Sequence, residues 1–383
     1  MFDNRRVTEF STRERVLVLA DSNVSAKREA PPLPPVRMKE LADDLGLSIA
    51  SVSRAFRNNR EISSVTRARV LKRAAELNYR PNLAARALVT GRTSLMGLIV
   101  PDLVHSFFAE LALGLSSVLR QSGFGLVVSS SEEDPELERQ EIERLRTRGV
   151  DALLIASVQN STDAFRSLAE QSVPYVLLDR WFSGLSANFV GVNDEKVGAI
   201  ATEHLIHIGC QRIAHIRGTN VSTARGRLDG YTRTLMEHGI GIRDDYIVSA
   251  KCLDKSASAE GYAAAEKLLT VNPRPDGVFC CNDPVAIGAM RAILDVGLRI
   301  PEDIALIGAG NLRFDDDLQV PLSSVDQRSK ILGERAAQLA MRIVGAHGQV
   351  RPKAIVLEPS LIVRKSTERV VPSLNEPPAT DKS

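Results

Sequence analysis

Cysteine is scarce in this chain: four residues in 383, at positions 210, 252, 280 and 281. No pair has zinc-type spacing, and the adjacent Cys280 and Cys281 are hard to bridge to each other. A reducing, cytoplasmic setting is therefore expected. Long apolar runs are missing too. None approaches the roughly 18 residues a membrane-spanning helix needs. The stretch RVLVLA at 15–20 is too short for a signal-peptide core, and no Ala-x-Ala cleavage pattern follows it. There is no Walker A loop and no Gly-x-Ser-x-Gly elbow. The GAG at 308–310 lacks the third glycine of a dinucleotide fingerprint. His204 and His207 stand three apart without the glutamate of a metalloprotease helix. Neither catalysis nor a metal or other cofactor is expected.

What is present is ordinary in bulk and uneven in distribution. Hydrophobic residues make up 44% and charged residues 25%, usual values for a globular chain of two or three domains. The net charge of +2 hides an asymmetry. Residues 37–92 hold twelve Lys and Arg against five Asp and Glu, a net +7, whereas residues 93–383 are net −6. A basic module on an acidic body fits a polyanionic partner for the small part alone, or simply a solvated basic helical surface.

The basic stretch has its own pattern. Met38, Leu41, Ala42 and Leu45 follow the i, i+3, i+4, i+7 spacing of one helix face, and Gly46 ends that helix. Ser48 then serves as N-cap of a second helix, with Val52 and Phe56 packing inward. Ile49, Ala50, Ser51 and Arg54 are left near the opposite face. Ser63 caps a third helix, for which Val65, Val70, Leu71, Ala74 and Leu77 are the expected core. A second helix with projecting N-terminal side chains is how a helix-turn-helix meets base edges. Pro81 suits the first position of a short further helix.

The segments MKELADDLGLSIASVSRAF, ELNYRPN and LAARALVTGRT, with a body running from LMGLIVPD to EPSLIVRKST, resemble the lactose-repressor (LacI/GalR) family of bacterial transcription regulators. The resemblance covers roughly residues 36–367. It implies base reading by Ile49, Ala50 and Arg54, the last with two hydrogen bonds to a guanine edge. It implies phosphate contacts by Ser51, Ser53, Asn58, Ser63 and Thr66, hydroxyls that would serve equally well as caps or face solvent. Asn82 lies in the hinge segment, and Leu88 takes the position of the leucine that wedges the minor groove on DNA, where linker packing is the other reading. Val89 replaces the basic residue of some relatives.

Between 95 and 366, apolar strand-like runs alternate with amphipathic stretches. The runs are 95–100, 125–130, 152–157, 175–179, 189–192, 212–217, 277–281 and 304–308; the stretches are 108–122, 135–148, 194–208, 224–238, 257–270, 284–296 and 328–345. Such alternation predicts parallel sheets covered on both faces, here in two lobes, with a ligand at the strand ends between them. Phe107, Phe108, Asp179, Trp181, Arg227 and Asn282 fall after strand ends. Rings that stack on sugar faces, with forks that pair with hydroxyls, suit a hydroxylated ligand. By resemblance, Asp179, Arg227 and Asn282 align with effector contacts, while Phe107, Phe108 and Gln327 lie at variable pocket positions. Trp181 fits cleft lining or lobe packing, and Asp283 reads as the cap of its helix. After the run at 304–308 many relatives carry an aromatic residue and two aspartates, but this chain reads Gly308, Ala309, Gly310 and Asn311, with Gly310 at the position of the acid that commonly binds a sugar hydroxyl. Either the ligand is not a simple neutral sugar or Asn311 or Asp315 substitutes, and a less acidic pocket would tolerate an anion.

The expected organisation is a disordered leader over 1–35, an all-α helix-turn-helix DNA-binding head over 36–80, a hinge helix and linker over 81–92, a two-lobed α/β effector-binding and dimerisation domain of the periplasmic-binding-protein type over 93–367, and a disordered tail over 368–383. The expected function is that of a homodimeric regulator, most often a repressor in this family. Its partners are a near-palindromic operator and a small-molecule effector such as a sugar or sugar acid. A solute-binding transport protein, or an enzyme on a two-lobed fold, is the alternative.

Overall fold

The computed structural model describes residues 36–56, 61–80, 87, 91–219, 221–251, 254–346 and 351–369. The leader and nearly all of the tail proposed above lie outside these residues. The described residues divide into two compact units, with the boundary between Asn82 and Leu83.

The first unit contains three helices, α1 (Met38–Leu45), α2 (Ile49–Phe56) and α3 (Ser64–Glu76). Gly46 ends α1 at φ 66°, a left-handed conformation that costs a glycine little. The Ser51 N–H donates to Ser48 Oγ at 3.1 Å, and the Thr66 N–H donates to Ser63 Oγ at 3.1 Å, so both predicted caps form. The core gathers Leu41, Ala42, Leu45, Val52, Ala55, Val70, Ala74 and Tyr79. Arg73 clasps Asp44 with Nε at 2.5 Å and Nη2 at 2.9 Å, tying α3 to α1. The Arg73 guanidinium holds the Asp44 carboxyl below its usual range. Two residues assigned to the core of α3 are not in it: Val65 is 78% exposed and Leu71 41%. Val70 and Ala74 are buried in it, and Leu77 at the end of α3 packs against it partly buried.

The second unit holds two six-stranded sheets. The first has the order β11-β5-β4-β3-β1-β2. Its strands are β1 (Leu95–Val100), β2 (Gly125–Ser130), β3 (Ala152–Ile155), β4 (Tyr175–Leu178), β5 (Phe189–Val192) and β11 (Ala354–Leu357). All of these pairings are parallel. The second sheet has the order β12-β10-β9-β8-β6-β7. It is made of β6 (Ile213–Arg217), β7 (Ile247–Ser249), β8 (Gly277–Cys280), β9 (Ala305–Ala309), β10 (Ser323–Asp326) and β12 (Ser360–Ile362). Only β12 runs antiparallel to its neighbour, β10.

Helices cover the faces, as parallel sheets require. They are α4 (Ser106–Gln121), α5 (Pro135–Thr147), α6 (Asp163–Glu170), α7 (Asp194–His207), α8 (Ser222–Glu237), α9 (Asp254–Thr270), α10 (Asp283–Asp295) and α11 (Ser329–Gly345). The chain passes between the sheets three times: from β5 to α7, from β10 to α11, and from β11 to β12. The expected α/β architecture with two lobes is therefore what the chain adopts. Each lobe has its own apolar core, one around Leu98, Leu115 and Leu154, the other around Ile216, Val285 and Leu306.

Three helix pairs approach backbone to backbone through glycine. A Cβ on Gly114 of α4 would strike the Lys330 carbonyl of α11, and one on Gly333 would strike Leu111. Gly198 of α7 and Gly230 of α8 are placed in the same way, as are Gly261 of α9 and Gly288 of α10.

Candidate functional site

The carboxyl ends of β1, β2, β3, β4, β6 and β8 converge on one cavity of about 430 Å³ within the second unit. The first lobe contributes Asp102, His105, Phe107, Phe108, Glu133, Asn160, Asp179 and Arg180 to its wall. From the second come Thr219, Thr223, Arg227, Lys251 and Asn282, and Gln327 joins from the β10–α11 crossover. A site at strand ends, where the order reverses on either side of β1 and of β6, is what open parallel sheets offer a ligand.

Asp179 follows β4 with φ 60°, a conformation seldom adopted by a non-glycine residue. It is 7% exposed, and its carboxylate meets no hydrogen-bond donor among the described residues. Burial pushes this carboxyl up, against the pull of Arg180, Arg227 and His105. An acceptor left so in a cavity calls for donors from a ligand.

Arg227 is also 7% exposed, but it is held on three sides. Its Nε donates to Asp194 Oδ1 at 3.0 Å, Nη1 to the Cys281 carbonyl, and Nη2 to Gln327 Oε1 at 2.7 Å. One N–H on each terminal nitrogen remains. Burial by itself would lower the pKa of this guanidinium, yet the carboxylates of Asp194 and Asp179 more than reverse that. Burial pushes the Asp194 carboxyl up to about 7, with Arg227 opposing it. We take the pair as ionised, because the guanidinium donates directly to the carboxylate.

Arg180 Nη2 pairs with Glu133 Oε1 at 2.7 Å, and its Nη1 donates to the Ser157 carbonyl at 3.3 Å. Glu138, wholly buried, accepts from Ser157 Oγ at 2.7 Å and from the Val158 N–H at 2.6 Å, which fixes the loop carrying Asn160. Direct bonds cross the cleft. The Trp181 N–H donates to Ser222 Oγ at 3.0 Å, and Asn282 Nδ2 lies 3.4 Å from His105 Nε2.

Six of the seven residues expected at the cleft line it: Phe107, Phe108, Asp179, Arg227, Asn282 and Gln327. Trp181 does not. It is 50% exposed, and its backbone, not its indole, bridges the lobes. The cap of α10 is Asn282, whose Oδ1 accepts the Val285 N–H at 2.9 Å, and not Asp283 as expected. Asp283 is buried instead beside Asp315 and Ser324.

That burial leaves no room for a Cβ at Gly308 or Gly310, and nothing in the structure explains Ala309. A Cβ on Gly308 would strike Asp283 Oδ1, and one on Gly310 would come within 2.5 Å of Oδ2. The glycines accommodate the aspartate. Neither Asn311 nor Asp315 lines the cavity, so neither substitutes for the missing acid. The Asn311 amide oxygen accepts from Arg364 Nη2 at 2.8 Å, and Asp315 is fully buried. Arg180, which ends the same strand run as Asp179, lines the wall too, and His105, Glu133, Thr223 and Lys251 are wall residues that the sequence reading left unassigned. The strand-end rule that found Asp179 points equally to 218–224 and 251, but without a motif it picks no side chain there.

In the first unit, Ile49, Ala50 and Arg54 are exposed on α2 while Val52 and Ala55 are buried. Arg54 Nη1 lies 3.3 Å from Glu61 Oε2. Ser51 and Ser53 are half-buried on the same helix. The Ser51 hydroxyl bonds Ser48 Oγ at 2.9 Å, and that of Thr66 bonds Ser63 Oγ at 2.9 Å. Asn58, Asn82 and Leu88 lie outside the described residues.

Residues 37–82 match the profile of bacterial regulatory proteins of the lacI family. Residues 93–362 match that of periplasmic binding proteins and the sugar binding domain of the LacI family. The chain belongs to the LacI family. It is 33% identical to the ribose operon repressor of Haemophilus influenzae over 331 residues, which cover 86% of this chain and 98% of that one. It is 30% identical to the transcriptional repressor PurR of Haemophilus influenzae (strain PittEE), over 87% of this chain and 99% of PurR. Among solved structures, the Lac repressor bound to ONPG in its repressed state aligns with a TM-score of 0.76 at 27% identity, covering 87% of this chain and all of that one. The CelR–cellobiose complex aligns with a TM-score of 0.65 at 28% identity, over 86% of this chain and 99% of CelR. Like its LacI-family relatives, this chain is a DNA-binding transcription regulator.

Proposed function

We propose that this LacI-family chain is a cytoplasmic, homodimeric repressor, with no enzymatic activity, whose operator affinity is set by a small polyhydroxylated effector in the cleft. The observation that carries the effector assignment is the Asp179 carboxylate, buried in the cavity wall without a donor, opposite an Arg227 fork with one N–H left on each terminal nitrogen. A ligand with vicinal hydroxyls donates to Asp179 and accepts from Arg227 and Asn282, and Phe107 and Phe108 offer it ring faces. Because the wall comes from both lobes, a bound ligand bridges them and favours one lobe arrangement. It shifts operator affinity only by its differential affinity for the two arrangements.

In the head, Arg54 reads a guanine edge, Ile49 and Ala50 meet thymine methyls, and the Ser51, Ser53, Ser63 and Thr66 hydroxyls lie within reach of phosphates. Leu88 wedges the minor groove from the hinge at 81–92. A near-palindromic operator bound by two heads requires a two-fold protein, and one of the related Lac repressor structures is a dimer on operator. The test is fluorescence-anisotropy titration of operator DNA across a salt series, with and without candidate sugars and sugar derivatives. Operator binding that weakens steeply with salt, and shifts with one class of ligand, is the expected result. Binding to DNA that no cleft ligand alters would refute the effector assignment.

A further inference from the structure

The two walls of the cleft differ in charge. The first lobe contributes Asp102, Glu133 and Asp179 against Arg180. The second contributes Arg227 and Lys251, with no acid among its lining residues. Asp194 lies behind Arg227 and compensates it, so Lys251 supplies the net charge of that wall. No described carboxylate pairs with the Lys251 ammonium, and the residue is exposed.

The same wall holds the start of α8. Its N-cap position is Val221, which offers no side-chain acceptor, and the first turn carries no acidic residue. The N–H groups of Ser222, Thr223 and Ala224 meet no acceptor among the described residues. Val221, Thr223 and Ala224 line the cavity. Thr223 is 9% exposed, and its hydroxyl has no hydrogen-bond partner among the described residues. Arg227 follows one turn later on the same face of the helix. Four neighbouring helices that start at strand ends carry a side-chain cap, α4 from His105, α5 from Asp134, α7 from Asn193 and α10 from Asn282, whereas α6 and α11, like α8, have none. An uncapped helix N-terminus with free N–H groups, a buried unpartnered hydroxyl and a lysine makes a cradle for an anion.

We propose that the effector carries an anionic group, a carboxylate or a phosphate, that docks at the N-terminus of α8 against Thr223 and Lys251 while its hydroxyls reach Asp179 in the opposite wall. This rests on the reading of the cleft as the effector site and names the class of molecule that fills it: a sugar acid or a sugar phosphate. The two walls then divide the ligand, with hydroxyl donors toward the acidic lobe and the anion toward the helix.

The experiment uses the full chain and inorganic phosphate as the first probe, with chloride at matched ionic strength as reference. Thermal unfolding is followed for wild type, Thr223→Val, Lys251→Met and Lys251→Arg. The expected result is a phosphate-specific rise of roughly 2 °C or more near tenfold saturation. It should be lost in Thr223→Val and Lys251→Met and retained in Lys251→Arg. No rise in wild type overturns the proposal. A rise that survives both Thr223→Val and Lys251→Met also overturns it, since the anion then sits elsewhere, as on the basic head. The second arm compares D-glucose, D-gluconate and D-glucose 6-phosphate, and likewise D-ribose, D-ribonate and D-ribose 5-phosphate, by calorimetry and operator release. At least tenfold tighter binding of an acid or a phosphate than of its neutral parent supports the proposal, and the tighter member identifies the anion. A neutral sugar that binds as tightly as its anionic forms and releases operator overturns the anion site but leaves the effector reading intact. Phosphate binding that responds to the substitutions, with no ligand that changes operator affinity, upholds the anion site and defeats the regulatory reading.

Discussion

Arg54 stands on the exposed face of α2 with an acid already at hand, Glu61, 3.3 Å away. Both side chains are well exposed, at 47% and 68%, so the pair is weak, worth less than about 1 kcal/mol. A guanine edge therefore outcompetes it easily. Glu61→Gln should tighten operator binding by no more than roughly fivefold at low salt, with less effect as salt rises. Arg54→Ala should cost about 1–3 kcal/mol of operator binding and relax preference at one base pair of each half-site. A binding-site selection that returns the wild-type consensus would remove Arg54 from base reading. Asp179 is the counterpart in the second unit. Asp179→Asn removes a buried carboxylate that no protein donor hydrogen-bonds and whose burial outweighs the attraction of Arg180, Arg227 and His105, so the fold should be as stable or more so. Effector affinity should fall roughly 10- to 100-fold, the worth of a hydrogen bond to a charged acceptor. Calorimetry with the ligand, set beside a melting curve, separates the two effects.

At the scale of elements, the three glycine-paired helix contacts set how closely the layers approach. Gly230 meets the Glu195 carbonyl of α7 where a Cβ has no room, and backbone cannot give way as a flexible side chain does. Gly230→Ala should therefore destabilise the second unit by about 1–3 kcal/mol, seen as a lower melting temperature. Because Arg227 lies one turn earlier on the same helix, the displacement should also weaken effector binding. An unchanged melting temperature would mean that α7 and α8 slide apart freely. Legibility in the sequence follows the same physics of packing. The runs at 95–100 and 189–192 coincide with β1 and β5 to the residue, since strands buried on both faces read as unbroken apolar runs, and the run at 125–130 coincides with the edge strand β2 although that strand is only half-buried. Short, partly exposed strands gave no such signal. The strands β7, β11 and β12 have three or four residues and partly exposed faces. In α3 the helix was legible but its buried face was not, because Val65 and Leu71 carry apolar side chains on a surface that nothing in the unit covers. The chemistry of the cleft was legible wherever a motif marked it, as at Asp179, Arg227 and Asn282. Thr223 and Lys251 escaped because a hydroxyl without a partner and a helix without a cap are properties of three dimensions.

The whole molecule ties its lobes with three crossovers and, near the second of these, buries a pair of acids. Asp283 opens α10, and Asp315 lies in the loop after β9. Burial pushes Asp283 up to about 6. Burial, then the neighbouring Asp283 charge, pushes Asp315 up to about 8. Asp283 also accepts from Ser324 Oγ at 2.7 Å, and the Leu312 N–H reaches Asp315 Oδ2 at 2.8 Å. The charged group facing the pair is Arg364, which is itself bound to Asp316 at 2.5 Å. Two carboxyls this close share a proton, since both cannot ionise cheaply in a buried site. Their folded values lie above the unfolded ones, so between roughly pH 4 and 8 the native state holds more protons than the unfolded chain. The contribution is full below the unfolded values and is lost as pH rises through about 6 and then about 8. Wild type should thus lose stability across this window relative to Asp315→Asn, in which an amide donates to Asp283 at every pH. At pH 8 the variant should melt roughly 2–4 °C above wild type, and near pH 5 the difference should shrink or reverse. Other raised carboxyls, such as Glu138, slope the same way, so the comparison of variant with wild type, not the wild-type profile alone, isolates the pair. Parallel stability profiles for the two proteins from pH 5 to 8 would show that no shared proton links Asp283 to Asp315.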